Sequence, residues 1–435
     1  MTYYSTNGQV ENVSLEEVVI HSLAPDKGLY MPDRVPTLSS DTIKGFKDKT
    51  FVEISDTVAQ AFFGEDIPHD SLSQIVADTL TFDTPVVHIA DNIYTLELFH
   101  GPTLAFKDVG ARFMARVLGY FVRRSGSDNE INVLVATSGD TGGAVANGFL
   151  GVEGIHVFVL YPKGKVSPIQ ECQFTTLGKN ITALEIDGTF DDCQALVKAA
   201  FVDAELNARM RLTSANSINV ARFLPQSFYY FNAYAQLDRQ GLAERLAVCV
   251  PSGNFGNLTA GLFAYKMGLP VKRFIAANNS NDVFLEYLRT GVYTPRPSVE
   301  TYANAMDVGN PSNFARILDL FDHNHTTIST LISGAAYDNT QIASTIRRVW
   351  GEHRYLLDPH GACGYQALVK DLKPDETGIF LETAHPAKFK ETVDGILNTD
   401  IEIPAKLRAF MSGEKQSVTL GKDFKEFKDF MADLS

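Results

Sequence analysis

Residue types and spacing suited to chemistry occur at five places in this chain: a lysine, two glycine-rich turns, an amide-and-arginine segment and a polar strand end. Lys107 falls in the run Phe99-His100-Gly101-Pro102-Thr103-Leu104-Ala105-Phe106-Lys107-Asp108. This Gly-Pro turn leads into a helix whose apolar face is Val109, Phe113, Val117 and Phe121, with Met114 and Leu118 beside it. A cation at the positive end of a helix dipole and next to an apolar ring is disfavoured, so both effects favour the neutral amine. That is the form that condenses with an aldehyde. The segment alone also fits a solvated lysine beside a capping Asp108.

The two glycine turns are Thr137-Ser138-Gly139-Asp140-Thr141-Gly142-Gly143 and Pro251-Ser252-Gly253-Asn254-Phe255-Gly256-Asn257. Each joins an apolar run to a helical pattern. The first N–H groups of a helix have no partner inside it, and the dipole adds to them, so each turn can take an anion without a basic residue. Two turns suit two anions, a cofactor phosphate and a substrate carboxylate; either alone also reads as a tight strand-to-helix turn. In Asn216-Ser217-Ile218-Asn219-Val220-Ala221-Arg222, amides and a hydroxyl precede a guanidinium able to hold a phosphate by paired hydrogen bonds. The same pattern serves as a helix cap followed by a surface arginine. The segment Gly378 to Phe389 is an apolar strand ending in a polar turn, where open α/β sheets carry functional groups, and it turns Thr383 towards a ligand. The turn Asp358-Pro359-His360-Gly361-Ala362 either lines the same crevice or only reverses the chain.

Other chemistries lack their carriers. Neither turn has G-x-G-x-x-G spacing, and Tyr161-Pro162-Lys163 stands where an acid for ribose hydroxyls is expected, which disfavours a nicotinamide dinucleotide. G-x-S-x-G, Walker and H-E-x-x-H patterns are missing. Cys172, Cys193, Cys249 and Cys363 form no C-x-x-C pair and read as reduced thiols, and Asp322-His323-Asn324-His325 reads as a solvated turn, so no metal is expected. A formal charge of -14 argues against nucleic-acid or anionic-membrane partners, so any phosphate must be held by local groups. The amino terminus has no basic flank or apolar signal run, and no stretch is long enough to span a bilayer; the expectation is a cytoplasmic protein.

The elements that must position these residues follow the hydrophobic pattern. From Asn92 to about Phe389, short β-branched runs alternate with longer amphipathic ones, the sign of βαβ units. Ile131–Ala136, a helix and Ile155–Leu160 make one unit; Leu246–Val250, a helix through Met267 and Val271–Ala277 make another. The fold expected is α/β, with two α/β domains of open, mostly parallel sheets and an N-terminal accessory domain over residues 1–90. The catalytic region then covers 91–390, with a smaller mobile subdomain at about 110–215, and a C-terminal helical tail packing on the catalytic region covers 391–435. At 435 residues two or three cores are expected, since single cores stop growing near roughly 250–300 residues. After Pro404 the tail reads as a solvent-facing helix without chemistry.

Taken in this order, the segments resemble the threonine synthase family, of the long bacterial and fungal type, within the tryptophan-synthase-β-like (fold type II) group of pyridoxal-phosphate enzymes. The most specific parts are Gly101 to Asp108, Ser138-Gly139-Asp140-Thr141-Gly142, Ser252 to Asn257 and Glu382-Thr383-Ala384-His385-Pro386. The opening Ala24 to Pro32 is also similar to that family and is not expected in cysteine synthases or threonine dehydratases. The resemblance implies that Lys107 anchors pyridoxal 5'-phosphate, that Gly253, Asn254, Phe255, Gly256 and Asn257 hold its phosphate, and that Thr383 hydrogen-bonds its ring nitrogen. It implies that Ser138, Gly139, Asp140, Thr141 and Gly142 receive the carboxylate of O-phospho-L-homoserine, with Thr137, Thr141, Asn216, Ser217 and Arg222 around its phosphate. Lys107 is then anchor and base, the departed phosphate helps to activate the water that adds, and the half carrying the carboxylate turn is expected to move. A monomer or homodimer is expected. A dehydratase or β-replacement synthase of the same group would keep Lys107 and the turns without needing Arg222; a binding protein would hold the cofactor without turnover. Pro295 to Phe314, including Asn310-Pro311-Ser312-Asn313, receives no role.

Overall fold

Two sets of parallel strands are laid down by the apolar runs, and each set gathers its own helices. The computed structural model describes residues 1–126 and 130–434. The chain forms two compact units, each built from separated stretches. The first comprises Met1, Asp33–Phe106 and Phe223–Glu402, and the second Thr2–Pro32, Lys107–Arg222 and Ile403–Ser435.

The first unit carries a six-stranded sheet in the order Ile332–Ala336, Val271–Asn278, Leu246–Pro251, Thr377–Glu382, Ile93–Glu97, Val86–Ala90. All neighbours are parallel except the last pair, an antiparallel hairpin at one edge. Leu246–Pro251 is buried along its whole length, as expected for a parallel strand covered on both faces. Helix Pro359–Asp371 packs on the central strands, and Cys249, Ile275, Leu368 and Phe380 meet in the core beneath it. Helix Phe51–Phe63 starts at a capping box, in which Thr50 and Glu53 each bond the other's backbone N–H, and it packs on Ser227–Asp238.

The second unit carries a five-stranded, all-parallel sheet in the order Val418–Leu420, Ile181–Ile186, Ile155–Pro162, Ile131–Ala136, Leu212–Ser214. Helices Lys107–Ser125 and Asp140–Phe149 pack together, and Leu15–His21 lies against the former. The expected strand at 131–136 forms with the bounds read from its pattern, and the helix after the Gly-Pro turn begins at Lys107. The tail, expected as a solvent-facing helix packing on the catalytic region, contains more than one helix. It has a helix Ala405–Met411, the edge strand Val418–Leu420 and a second helix Phe424–Ala432. Phe427 and Met431, four residues apart on one helical face, are fully buried beside Leu196 and Leu212. Each such side chain contributes roughly 1.5–3 kcal/mol, which outweighs the solvation preference of the charged positions around it. Among the described residues no helix is long and apolar enough to cross a membrane.

Candidate functional site

In the first unit the turn after strand Leu246–Pro251 is shaped from three sides. The Ser252 hydroxyl donates to Val250 O (2.9 Å), while its N–H donates to Ala277 O (2.8 Å). Asn254 is held twice, by Ser312 N–H on its side-chain oxygen (2.6 Å) and by Asn313 Nδ2 on its carbonyl (2.9 Å). Phe255 sits in the left-handed region (φ 61°) as the cap of helix Gly256–Lys266, and its ring packs 4.5 Å from that of Phe284. Gly253 is required by close approach: a Cβ there would lie 2.5 Å from Met306 Cα, against backbone that cannot swing aside. Tyr230 donates to Asn257 O (2.9 Å) and Oδ1 (2.7 Å), leaving Asn257 Nδ2 buried with no partner among the described residues. A buried donor without an acceptor is costly, so this atom beside a helix start fits an anion.

Thr383, nearly buried, follows strand Thr377–Glu382 in the same unit. The chain beside it is the run that ends at Phe106: Phe106 N–H donates to Thr383 O (2.8 Å) and His385 N–H to Leu104 O (3.0 Å). Tyr229 donates to Phe106 O, and the fully buried Lys388 places Nζ 2.9 Å from Thr103 O. Leu104, like Phe255, is a large residue held left-handed (φ 57°). Thus the residues immediately before Lys107 and those around Thr383, far apart in sequence, are one hydrogen-bonded structure.

Next to Thr383 in sequence, and in the turn 358–362, stands a group of titratable side chains to which the sequence assigns no individual roles. Glu382 is fully buried, and its Oε1 accepts from Asp358 N–H (2.6 Å). Burial first, then the charge of Asp358, hold its carboxyl well above the usual range. A proton on Glu382 Oε2 directed at Asp358 Oδ2 satisfies both oxygens, neither of which has another partner among the described residues. Asp358 caps helix Pro359–Asp371 and binds His360 Nδ1 at 2.6 Å. Because His360 Nε2 accepts from Ala305 N–H (3.2 Å), the ring proton resides on Nδ1. The turn at 358–362 therefore props the Ala305-Met306 backbone against Gly253. His385 is pushed down to about 4 by burial, and its Nδ1 accepts from Ala387 N–H (3.1 Å). The unassigned segment 295–314 is organised by Asp307, which bonds Thr301 and Asn279 and is raised to about 6 by burial. The cluster Asn278-Asn279-Ser280-Asn281 at a strand end was the available signal for it.

In the second unit Lys107 opens its helix half-buried. One turn on, Gly110 allows the backbone and guanidinium of Arg222 to lie against the helix. Arg222 is buried, and its Nε donates to Ala215 O (3.1 Å). The Thr137 hydroxyl accepts from Gly139 N–H (2.9 Å) and Gly142 N–H (2.8 Å), so it shapes the turn, while Ser138 and Thr141 are the half-exposed side chains of that turn. Asp140 is buried and receives Gln170 Nε2 at 2.9 Å. Asn216 and Ser217 are half-exposed; Asn216 N–H donates to Ser214 Oγ (3.2 Å). Asn219, absent from the expected set, donates to Val19 O (2.9 Å) and Ser22 Oγ (2.7 Å), fastening the residues after helix Leu15–His21 to this segment. The Asp322 to His325 run is a turn capping helix His325–Leu331 through Asn324.

Three sequence families match the chain: threonine synthase N terminus over residues 2–80, pyridoxal-phosphate dependent enzyme over 78–381, and threonine synthase, C-terminal, over 361–431. It is 45% identical over 431 residues to the threonine synthase of Haemophilus influenzae, covering 99% of each chain. Among solved structures it is similar to the threonine synthase of Escherichia coli, with a TM-score of 0.93 at 43% identity over 100% of both chains. It is also similar to the PLP-bound threonine synthase of Brucella melitensis, with a TM-score of 0.93 at 33% identity over 100% of this chain and 99% of that one.

Proposed function

Because the chain belongs to the threonine synthase family of fold type II pyridoxal-phosphate enzymes, we propose that Lys107 is its cofactor lysine and proton carrier. The enzyme is a lyase that converts O-phospho-L-homoserine and water into L-threonine and inorganic phosphate, with pyridoxal phosphate as cofactor. When bound, that cofactor supplies an electron sink that acidifies the substrate's Cα and Cβ positions.

The residues present fit the group. The turn Gly253, Asn254, Phe255, Gly256 and Asn257 holds the cofactor phosphate, for which the unpartnered Asn257 Nδ2 is a waiting donor. Thr383 offers the ring nitrogen a neutral hydroxyl, which can hydrogen-bond it without handing over a proton as an acid would. The observation that carries this assignment is the pairing of Leu104–Phe106 with Thr383–His385: the chain that delivers Lys107 is built onto the chain that delivers Thr383.

Around the substrate, with the Gly139 and Gly142 N–H groups spent on Thr137, the Ser138, Asp140 and Thr141 N–H groups at the helix start orient the carboxylate, with the Ser138 and Thr141 hydroxyls as further donors. Arg222, with Asn216 and Ser217, holds the phosphate by paired, charge-assisted bonds and keeps it in place after it leaves Cγ. The Lys107 amine withdraws the Cα proton and then one from Cβ; Cγ is protonated, water adds at Cβ with the retained phosphate as its proton acceptor, and a proton returned to Cα completes the product. The buried, unpaired thiols of Cys193, Cys249 and Cys363 support assignment to a reducing compartment such as the cytoplasm.

Lys107→Ala is expected to lose the visible absorbance of bound cofactor on dialysis and to release phosphate from phosphohomoserine at least about 10³-fold more slowly. A variant that stays coloured and turns over at the parental rate would end the assignment.

A further inference from the structure

Two residues beyond the segment 295–314 stands a buried cation that reaches the phosphate turn through Asn313. Arg316, in helix Phe314–Leu320, is fully buried, with its guanidinium carbon 4.1 Å over the Phe223 ring. Its Nη1 donates to Asn313 Oδ1 (2.8 Å), and Asn313, itself fully buried, donates from Nδ2 to Asn254 O (2.9 Å). Ser312 N–H donates to Asn254 Oδ1 (2.6 Å). We propose that Arg316, acting through Asn313, is a positioning residue for the cofactor phosphate, fixing the Asn254 carbonyl so that the next N–H groups converge on the anion.

This rests on the reading of Gly253 to Asn257 as the phosphate turn. The residue after Asn254 is Phe255, held at φ 61°, a conformation an L side chain leaves unless its neighbours constrain it. Clamping Asn254 at both its carbonyl and its side chain supplies that constraint. A guanidinium bonded to Asn313 Oδ1 also polarises the amide and strengthens its donation to Asn254. Burial lowers Arg316 to about 9, so at neutral pH the group is still a cation. The positive potential of this buried group then acts in the same sense as the start of helix Gly256–Lys266.

The discriminating measurement compares affinity for pyridoxal phosphate with affinity for pyridoxal, which lacks the phosphate, using apo full-length protein and following cofactor absorbance. Arg316→Met and Asn313→Asp are the test variants, and Asn257→Ala is the control for the turn itself. Asn313→Asp keeps the shape and gives the cation its own carboxylate, so it remains informative even if Arg316→Met does not fold. In both test variants the dissociation constant for pyridoxal phosphate is expected to rise about tenfold while that for pyridoxal stays within about twofold. Equal losses for the two ligands reduce Arg316 to a packing residue and overturn the proposal, as does no loss for either. If Asn257→Ala shifts the ratio and the test variants do not, only the role of Arg316 and Asn313 fails. If Asn257→Ala also leaves the ratio unchanged, the phosphate-turn reading fails and the inference falls with it.

Discussion

Gly110→Ala tests the placement of Arg222 without touching any group assigned to chemistry. A Cβ at position 110 would meet the carbonyl oxygen and Nη1 of Arg222 about an ångström inside van der Waals contact. The carbonyl is backbone and cannot rotate away, and Nε is tied to Ala215 O, so the whole Ala215–Arg222 turn must back off. Overpacking of this kind costs about 1–3 kcal/mol of stability. A displacement of about an ångström at a substrate-holding group can lower kcat/KM by about 10²-fold. The assay is phosphate release from phosphohomoserine, run beside thermal melting and visible absorbance. The expected pattern is a lowered melting temperature, unchanged cofactor absorbance, and a fall in kcat/KM that includes a rise in KM. Combining Gly110→Ala with Arg222→Ala should give less than the product of the two effects, because both disturb one element. A Gly110→Ala protein with parental kcat/KM and melting behaviour would refute the reasoning, since nothing that approaches the helix so closely could then be Arg222 held in a working position.

His385→Asn should flatten the acid limb of the stability profile. Native His385 stays neutral down to about 4 whereas its unfolded form takes a proton near 6.5, so stability falls as pH drops through that window, by at most roughly 3 kcal/mol, and denaturant unfolding at several pH values reads the slope. Glu382→Gln mimics the protonated acid: Gln can accept from Asp358 N–H and donate to Asp358 Oδ2. The native carboxyl of Glu382 is raised, so its contribution is full below the ordinary carboxylate range and is lost as pH rises through the raised value; the Gln variant should lack this loss, and an unaltered alkaline slope would count against the shared proton. Asn219→Ala removes the bonds to Val19 O and Ser22 Oγ, with an expected loss of about 1–3 kcal/mol in chemical unfolding and faster proteolysis near residue 22.

What the sequence made legible was local. Strands such as Ile131–Ala136 and Leu246–Pro251 announce themselves because a parallel strand buried on both faces must be apolar throughout. Lys107 was placed at a helix start because Gly-Pro punctuation and the 3.6-residue period that follows are both near-neighbour signals. The pairing of Leu104–Phe106 with Thr383–His385 spans nearly 280 positions and involves only backbone groups, which leave no trace in side-chain type. Arg316 draws no reading from the sequence, because the ring that covers its guanidinium is Phe223, about 90 positions earlier in the chain. Residues 1–90 divide at Pro32 between the two units, a division set by long-range packing and not by a change of composition. In the tail the buried face is hard to read from sequence, because Phe427 and Met431 are two apolar positions among Lys425, Lys428 and Asp429.

The two turns assigned to the cofactor share a backbone feature that bears on how the enzyme works. Leu104 (φ 57°) and Phe255 (φ 61°) are large L residues in a conformation that costs roughly 1–2 kcal/mol each and that glycine would adopt without penalty. Glycine would also leave the turn free to reverse its φ. Leu104 and Phe255 are almost fully buried, and reverting either to an extended backbone would drag its side chain out of the core, forfeiting about 1.5–3 kcal/mol. Burial therefore wins over strain, and each turn is locked in the one orientation its side chain permits. At Leu104 the lock aims the chain that becomes Lys107; at Phe255 it aims the first N–H groups of helix Gly256–Lys266. Orientation fixed during folding need not be achieved again at each turnover, and such pre-organisation is where an enzyme whose own residues mainly hold, orient and move protons gains most of its rate.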